Sequence, residues 1–473
     1  MSSKSTAPPG ASGPALEEAA PAAVRAVATL RGNPFMADLL SSITERGRSL
    51  LTIAGWQAAT PVVDAEGLLA ECEALLSGRG EATGTALAAA ILAGYAALSV
   101  SERLPFFQGL ARDFGPDRDK IAKAVAAWDE KHSDPADLHY ASEPRRQELF
   151  RRLNRAPDGT RALVAMRAEL LDLVRQHPEL APVDRDFRHL LGSWFNRGFL
   201  VLRRIDWSAP ASILEKIIRY EAVHAIHDWD DLRRRIDNPD RRCYGFFHPA
   251  LVDEPLIFVE VALTEAIPTA VAPLLAQDRP LLPPNRARTA VFYSISNCQK
   301  GLAQVTFGNF LIKQVVEEIR RELPRIDTFV TLSPVPGFRA WLGRNMERLD
   351  EEARIMLARL EDPHWVDNAE ACDALRRVLE PLAAHYFLRE RGRDGRAADP
   401  VARFHLGNGA RLEQIDWLGD RSAKGLREAA GLMVNYLYHL DHIERNHEAY
   451  ANGAEIVASS GVRRLLRQDP IRG

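Results

Sequence analysis

The sequence predicts an all-α N-terminal domain followed by an α+β domain with helical insertions. Three observations lead there. From about Met36 to Leu191 apolar residues recur at helical spacing, with almost no strand pattern. After Trp194 short β-rich runs alternate with helices. Between residues 290 and 333 a strand, a glycine-containing loop, a helix and another strand follow in order, which sets a loop at a helix N-terminus.

Residues 1–30 are rich in Ala, Pro, Ser and Gly, contain no aromatic, and read as a disordered tail with one weak helix from Ala15. Residues 31–192 read as a helical oligomerisation domain. Its first clear helix spans Val63 to Leu76, with Val63, Leu68, Leu69, Cys72, Leu75 and Leu76 at helical spacing. Helices follow at Ala86–Val100, Ser101–Phe114, Arg118–His132, Glu143–Leu153 and Gly159–Gln176. Breaks fall at Asp113-Phe-Gly-Pro and Ala156-Pro-Asp-Gly, and Asp117 is placed to cap the helix behind it.

Residues 193–473 form the second domain. Gly198 to Ile205 reads as a strand, followed by helices at Ser212–Val223 and Trp229–Ile236. Cys243–Phe247 and Leu256–Leu263 read as two strands joined by the turn His248-Pro-Ala-Leu-Val-Asp-Glu-Pro. Ala290–Ser296 is a strand, Asn309–Leu323 a helix, and Thr328–Ser333 a strand stopped by Pro334-Val-Pro-Gly. Helices dominate Gly337–Glu390, and a last long helix is expected near Ala423–His442.

Composition narrows the function. The 473 residues carry 61 basic and 64 acidic side chains, a net charge of −3, which argues against bulk nucleic-acid binding. Cys72, Cys243, Cys298 and Cys372 lie far apart with no C-x-x-C pair, the usage of a reducing compartment rather than of a zinc ribbon or redox dithiol. No apolar run reaches the ~20 residues of a membrane helix; the most apolar stretch, Ala86–Val100, contains Gly94 and Tyr95 and reads as a buried helix. Without a signal or transit pattern the expected location is cytoplasmic. No H-E-x-x-H is present, and His224 and His227 lack an evident third ligand, so no metal is expected.

The loop Gln299-Lys-Gly-Leu-Ala-Gln-Val-Thr-Phe-Gly precedes a helix starting near Asn309. Unpaired N–H groups and the positive end of the helix dipole make such a place a cradle for a pyrophosphate, and glycine lets the backbone come close. The element order from Gly198 to Ser333 resembles the acetyltransferase-type acyl-CoA fold, in which this loop holds the CoA pyrophosphate. Its loop pattern is matched only in part by Gln299 to Ala303. A closer resemblance is carried by Arg241-Arg-Cys-Tyr-Gly-Phe-Phe-His-Pro, Glu254-Pro-Leu-Ile-Phe-Val-Glu-Val-Ala-Leu-Thr, Phe292-Tyr-Ser-Ile-Ser, Phe310-Leu-Ile-Lys, Leu332-Ser-Pro-Val-Pro-Gly-Phe and Phe404-His-Leu-Gly-Asn-Gly-Ala. These motifs, in this order, are similar to the malonyl-CoA decarboxylase family.

The resemblance implies an acetyltransferase-like catalytic domain that converts malonyl-CoA to acetyl-CoA and CO2, with no cofactor beyond the CoA of the substrate. It implies Ser333 and His405 as the catalytic pair and Ala303, Gln304, Val305, Thr306, Phe307, Gly308 and Asn309 as the CoA loop, and a homo-oligomer, a tetramer. Thr306 departs from the Glu of some animal members. Loss of CO2 leaves a thioester enolate, so the chemistry needs donors at the developing oxyanion and an acid for the α-carbon. Donors are expected near Ser294–Asn297 or Ser333. His405, titrating near neutrality, is expected as the acid, with Tyr438 a weaker candidate. Arg241, Arg242, Lys300 and Lys313 read equally as CoA-phosphate contacts or as solvated charges. Two other readings stay open: an acyltransferase of the same fold, and a non-catalytic acyl-CoA-binding scaffold.

Overall fold

The structure, a computed structural model, describes residues 42–46, 64–78, 80–129, 134–305, 311–468 and 471. The tail expected at 1–30 lies outside the described residues, as do Thr306, Phe307, Gly308 and Asn309 of the expected CoA loop.

The N-terminal region is helical: α1 (Ala65–Leu76), α2 (Glu81–Ala97), α3 (Val100–Asp113), α4 (Arg118–Ala126), α5 (Pro135–Ser142), α6 (Arg145–Leu153), α7 (Gly159–Leu173) and α8 (Ala181–Trp194). The Asp117 carboxylate accepts the N–H groups of Asp119 and Lys120, the capping its position called for. Phe106, Phe107 and Leu110 of α3 are buried at helical spacing, and Phe150 of α6 stacks on Phe187 of α8 with ring centroids 4.0 Å apart.

A mixed sheet follows, carrying β1 (Val201–Ile205), β2 (Arg241–Phe247), β3 (Pro255–Thr264), β4 (Thr289–Asn297), β5 (Thr328–Thr331), β6 (Ser333–Pro334), β7 (Arg411–Asp416) and β8 (Met433–Leu437). The strand order is β1-β2-β3-β4-β5-β8-β6, with β7 also on β8. Between β1 and β2 lie α9 (Ala211–Tyr220) and α10 (Trp229–Ile236); α11 (Leu311–Glu322) crosses from β4 to β5. Beside a single turn at Ala272–Leu275 and several short 3-10 segments, further helices are α12 (Phe338–Arg344), α13 (Glu351–Leu357), α14 (Ala369–Leu388), α15 (Pro400–Gly407), α16 (Ala423–Ala429), α17 (Ile443–Gly453) and α18 (Ser460–Leu465).

The pairing of β4 creates the opening that matters. β4 and β5 are parallel and paired only from Thr289↔Thr328 to Phe292↔Thr331. Beyond Phe292, β4 runs on to Asn297 paired, among the described residues, with β3 alone, while the chain after β5 turns through Leu332 into β6, which pairs with β8. A bulge at Tyr293, where Glu260 opposes Ser294 and Val261 opposes Phe292, bends β4 at that point. One continuous core joins both regions, from Phe106, Phe150 and Phe187 through Phe292 and Phe329 to Leu379 and Tyr436.

Two expectations need correction. The long helix near Ala423–His442 is absent: α16 ends where Ala430 and Gly431 take left-handed φ of 52° and 79°, and Met433–Leu437 forms β8. The alternation of Val434, Tyr436 and Tyr438 is that of a strand, and β8 is paired on both edges, with β5 and β6 on one and β7 on the other. The strand expected over Thr328–Ser333 is two, β5 and β6, with Leu332 between them.

Candidate active site

Ser333 and His405, 72 positions apart, meet: Ser333 Oγ lies 3.2 Å from His405 Nε2. Pro334 holds Ser333 extended in β6, where it pairs with Val434. His405 sits in the last turn of α15, whose start is capped by Asp399 on the N–H of Ala402. The turn after it needs glycine at 409, where φ is +83° and a Cβ would stand 2.2 Å from the carbonyl oxygen of Ile443. Tyr438, just beyond β8, places its hydroxyl 2.8 Å from His405 Nδ1. Tyr436, two residues earlier on the same face, stacks on the imidazole with centroids 4.6 Å apart.

The hydrogen bonds run in one direction. Ser333 Oγ–H donates to Thr331 Oγ1 at 2.9 Å, and Thr331 Oγ1 also accepts the N–H of Tyr436 at 3.1 Å. With its proton so directed, Ser333 accepts from His405 Nε2–H, and Nδ1 accepts from the Tyr438 hydroxyl. All of these groups are buried. Burial pushes the His405 imidazole down to about 3 and holds the Tyr438 phenol well above its ordinary range. His405 is therefore neutral in the free protein. This corrects the expectation of a histidine titrating near neutrality: solvent, which would support the charged ring, is excluded.

A cleft of about 570 Å³ lies beside this cluster. Ile257, Asn297 and Cys298 line one side; Leu302, Ala303, Gln304 and Val305 form the loop wall; Arg396, Arg403, Phe404, Gly407 and Asn408 close the other side. α15 thus turns Phe404, Gly407 and Asn408 to the cleft and His405 inward. Of the expected loop, Ala303, Gln304 and Val305 border the cleft; the others lie outside the described residues. The hydroxyls of Ser294 and Ser296 are taken by the Glu221 carboxylate at 2.7 and 3.2 Å, so the donors left in that stretch are backbone N–H groups on the open edge of β4 and the side-chain amide of Asn297, which lines the cleft.

The four cations singled out in the sequence have other partners. Arg241 and Arg242 are buried on β2: Arg241 donates to the carbonyl of Leu274 at 2.5 Å and Arg242 to Glu322 at 2.7 Å. Neither is a solvated charge, and neither lines the cleft. Lys300 pairs with Asp172 and also lines the cleft, so it stays within reach of a ligand there, while Lys313 pairs with Glu444. Sequence reasoning missed Thr331, Tyr436, Arg396 and Arg403. The β-type alternation around Tyr436 and Tyr438 was the available signal for one of them.

Comparison with known proteins finds matches to both halves of the chain. Residues 198–472 match the model of the malonyl-CoA decarboxylase C-terminal domain, and residues 114–195 that of the N-terminal domain. The chain is 37% identical over 407 residues to the mitochondrial malonyl-CoA decarboxylase of Anser anser anser, covering 78% of this chain and 80% of that protein. To the mouse enzyme it is 35% identical over 407 residues, covering 78% and 82%. The crystal structure of malonyl-CoA decarboxylase from Rhodopseudomonas palustris superposes with a TM-score of 0.83 at 58% identity, covering 85% of this chain and 99% of that one. That from Agrobacterium vitis gives 0.81 at 54% identity, with coverage of 85% and 99%. With the paired Ser333 and His405 beside an open cleft and these matches across both halves, the chain belongs to the malonyl-CoA decarboxylase family.

Proposed function

We propose that this protein is a carboxy-lyase that converts malonyl-CoA to acetyl-CoA and CO2. The observation that carries the reading is the buried Tyr438–His405–Ser333 chain beside a cleft bordered by the loop after β4, in a chain of this family. On this reading residues 193–473 form an acetyltransferase-like catalytic domain. The loop Ala303–Asn309 takes the CoA pyrophosphate through its N–H groups, and the malonyl arm reaches toward Ser333.

The C–CO2 bond breaks when it stands perpendicular to the thioester plane, and its electron pair passes into the carbonyl as an enolate. Ser333 turns its O–H from Thr331 to the carboxylate and seats it in that orientation, and backbone N–H groups on the open edge of β4 receive the oxyanion, a contribution of about 3–4 kcal/mol per donor. The reaction consumes one proton. His405 is neutral before substrate arrives; a carboxylate brought beside it favours the imidazolium, so the proton enters with the substrate. His405 then gives it to the α-carbon. Tyr438, bonded at Nδ1, fixes which nitrogen faces Ser333. No cofactor takes part in these steps.

The test is incubation with malonyl-CoA alone, following CO2 and acetyl-CoA. Stoichiometric release of both without an acceptor supports the decarboxylase. CoA release only when an amine or thiol is added would mark an acyltransferase instead.

The helical region at 31–192 is proposed to assemble a homotetramer. Val100, Val125 and Tyr140 on α3, α4 and α5 are 84%, 60% and 73% exposed, apolar surface suited to a second copy. Light scattering showing a stable monomer at micromolar concentration would refute this. Among the described residues no helix is long and apolar enough to cross a membrane, and a cytoplasmic location is proposed; the goose and mouse relatives are named as mitochondrial.

A further inference from the structure

The loop after β4 is held from the helical region. Arg167 of α7 is fully buried, and its Nη1 donates to the carbonyl oxygens of Gly301 at 2.6 Å and Ala303 at 2.9 Å. Its Nε is fixed by Asp184 of α8 at 2.9 Å. Gly301 sits so tightly on α7 that a Cβ there would stand 1.9 Å from the carbonyl oxygen of Val164. Arg188 of α8 donates to the side-chain oxygen of Gln304 at 2.9 Å.

The backbone at this point is a type II turn. Val305 N–H bonds to Leu302 C=O at 3.0 Å, Ala303 has φ −54° and ψ 135°, and Gln304 has φ +62°. The third position of such a turn favours glycine, and a side chain there carries the cost of the left-handed region. The trans peptide between Ala303 and Gln304 points its C=O and N–H in opposite directions. Its carbonyl is bound to Arg167, so the Gln304 N–H is turned away from the helical region; Gln304 lines the cleft, and this N–H makes no hydrogen bond among the described residues.

We infer that Arg167 is a positioning residue for CoA binding: by holding the Gly301 and Ala303 carbonyls it keeps the 303–304 peptide flipped, so that the Gln304 N–H faces the substrate's phosphates. The helical region thereby shapes the binding loop, beyond any part in assembly. The inference rests on the proposed CoA role of this loop. A left-handed non-glycine residue is disfavoured by an amount equal to about 5- to 30-fold in an equilibrium. Arg167 offsets that, and its loss lets the peptide turn back.

The experiment measures free-CoA affinity by calorimetry and malonyl-CoA kinetics for the full chain and the variants Arg167→Lys, Gln304→Gly, Gln304→Val and the double variant Arg167→Lys with Gln304→Gly, with circular dichroism as the folding check. Lysine keeps the charge beside Asp184 but cannot reach two carbonyls and the carboxylate together. The expected result is a CoA Kd and KM raised about tenfold by Arg167→Lys with kcat within about twofold. Gln304→Gly, which removes the left-handed cost, should restore most of the affinity in the double variant; a merely structural loss would not be repaired by it. Gln304→Val should weaken CoA binding with Arg167 intact, and this comparison with Gln304→Gly carries the test if Arg167→Lys does not fold. A folded Arg167→Lys with unchanged CoA affinity, a double variant no better than the single, or equal affinity of the Gln304→Gly and Gln304→Val variants would overturn the inference. Wild-type protein that turns over malonyl-CoA without measurable affinity for free CoA would instead overturn the loop assignment beneath it.

Discussion

His405→Asn separates the state of the imidazole from its role in turnover. The ring's ordinary value is 6.5, and in the folded protein burial brings it to about 3. Between those values the unfolded chain binds a proton at this position that the folded chain refuses. Stability therefore rises with pH through this window and falls on acidification below about 6.5. From pH 7 to pH 5 the contribution lost through His405 is about 2 kcal/mol, since nearly one more proton is bound on unfolding at the lower pH. Glu260 at about 8, Asp416 at about 7 and Asp399 at about 6 are raised by burial and act with the opposite sign, losing stability as pH rises. They are present in both proteins, so only the difference between the two curves is read. The assay is urea unfolding of wild type and His405→Asn at pH 5, 6, 7 and 8. The variant should be less acid-sensitive by about 2 kcal/mol between pH 7 and 5. Parallel curves would show that His405 charges in the folded state and would remove the neutral-imidazole mechanism.

The same variant should lose about 10²- to 10⁴-fold in kcat while free CoA binds as before, checked by steady-state decarboxylation beside calorimetry. Ser333→Ala should also lower kcat strongly, and if the two act as a unit the double variant will be little worse than either; multiplicative losses would mean independent roles. Tyr438→Phe leaves His405 Nδ1 without its donor, so kcat should fall about tenfold and stability by about 1–3 kcal/mol, measured by turnover and urea midpoint; unchanged values would dismiss Tyr438. Gly301→Ala forces α7 and the loop apart, because the new Cβ meets backbone at 1.9 Å, and should cost about 1–3 kcal/mol; a midpoint equal to wild type would show that the contact gives way freely.

The elements legible in the sequence were those with a single strong period. The β2–β3 hairpin region and the amphipathic α11 appear where apolar spacing placed them. Ser333 and His405 were legible through their motifs, although nothing local in either segment says that they meet; that depends on β8 entering with β5 and β6 along one edge and β7, the strand that follows α15, along the other. β8 itself reads as helix because Leu426, Met433, Leu437 and Leu440 also fit a helical stripe, and the left-handed pair Ala430 and Gly431 that ends α16 has only one glycine to announce it. The cations show the limit most clearly. Arg241 and Arg396 look alike in a sequence, yet one is locked beside Asp240 under the sheet and the other lines the cleft. Arg167 gave no signal at all: its partners are main-chain carbonyls 134 and 136 residues away.

The place of β8, between β5 and β6 on one edge and β7 on the other, also sets the order in which the molecule can come into being. The helices α1 to α8 pack on one another, α1 on α3 and α6 and α2 on α6, and all of these partners precede β1 in the chain. The reacting cluster is built the other way: Ser333 must wait 72 residues for His405, and His405 another 33 for Tyr438. Until β8 is inserted, β5 lacks its second neighbour and β6 has none, leaving two bare strand edges of the kind that invite pairing with other chains. A nascent chain of this protein therefore holds a finished helical region and a finished hairpin well before it holds a working site. The interval between the two is when it most needs protection from its neighbours.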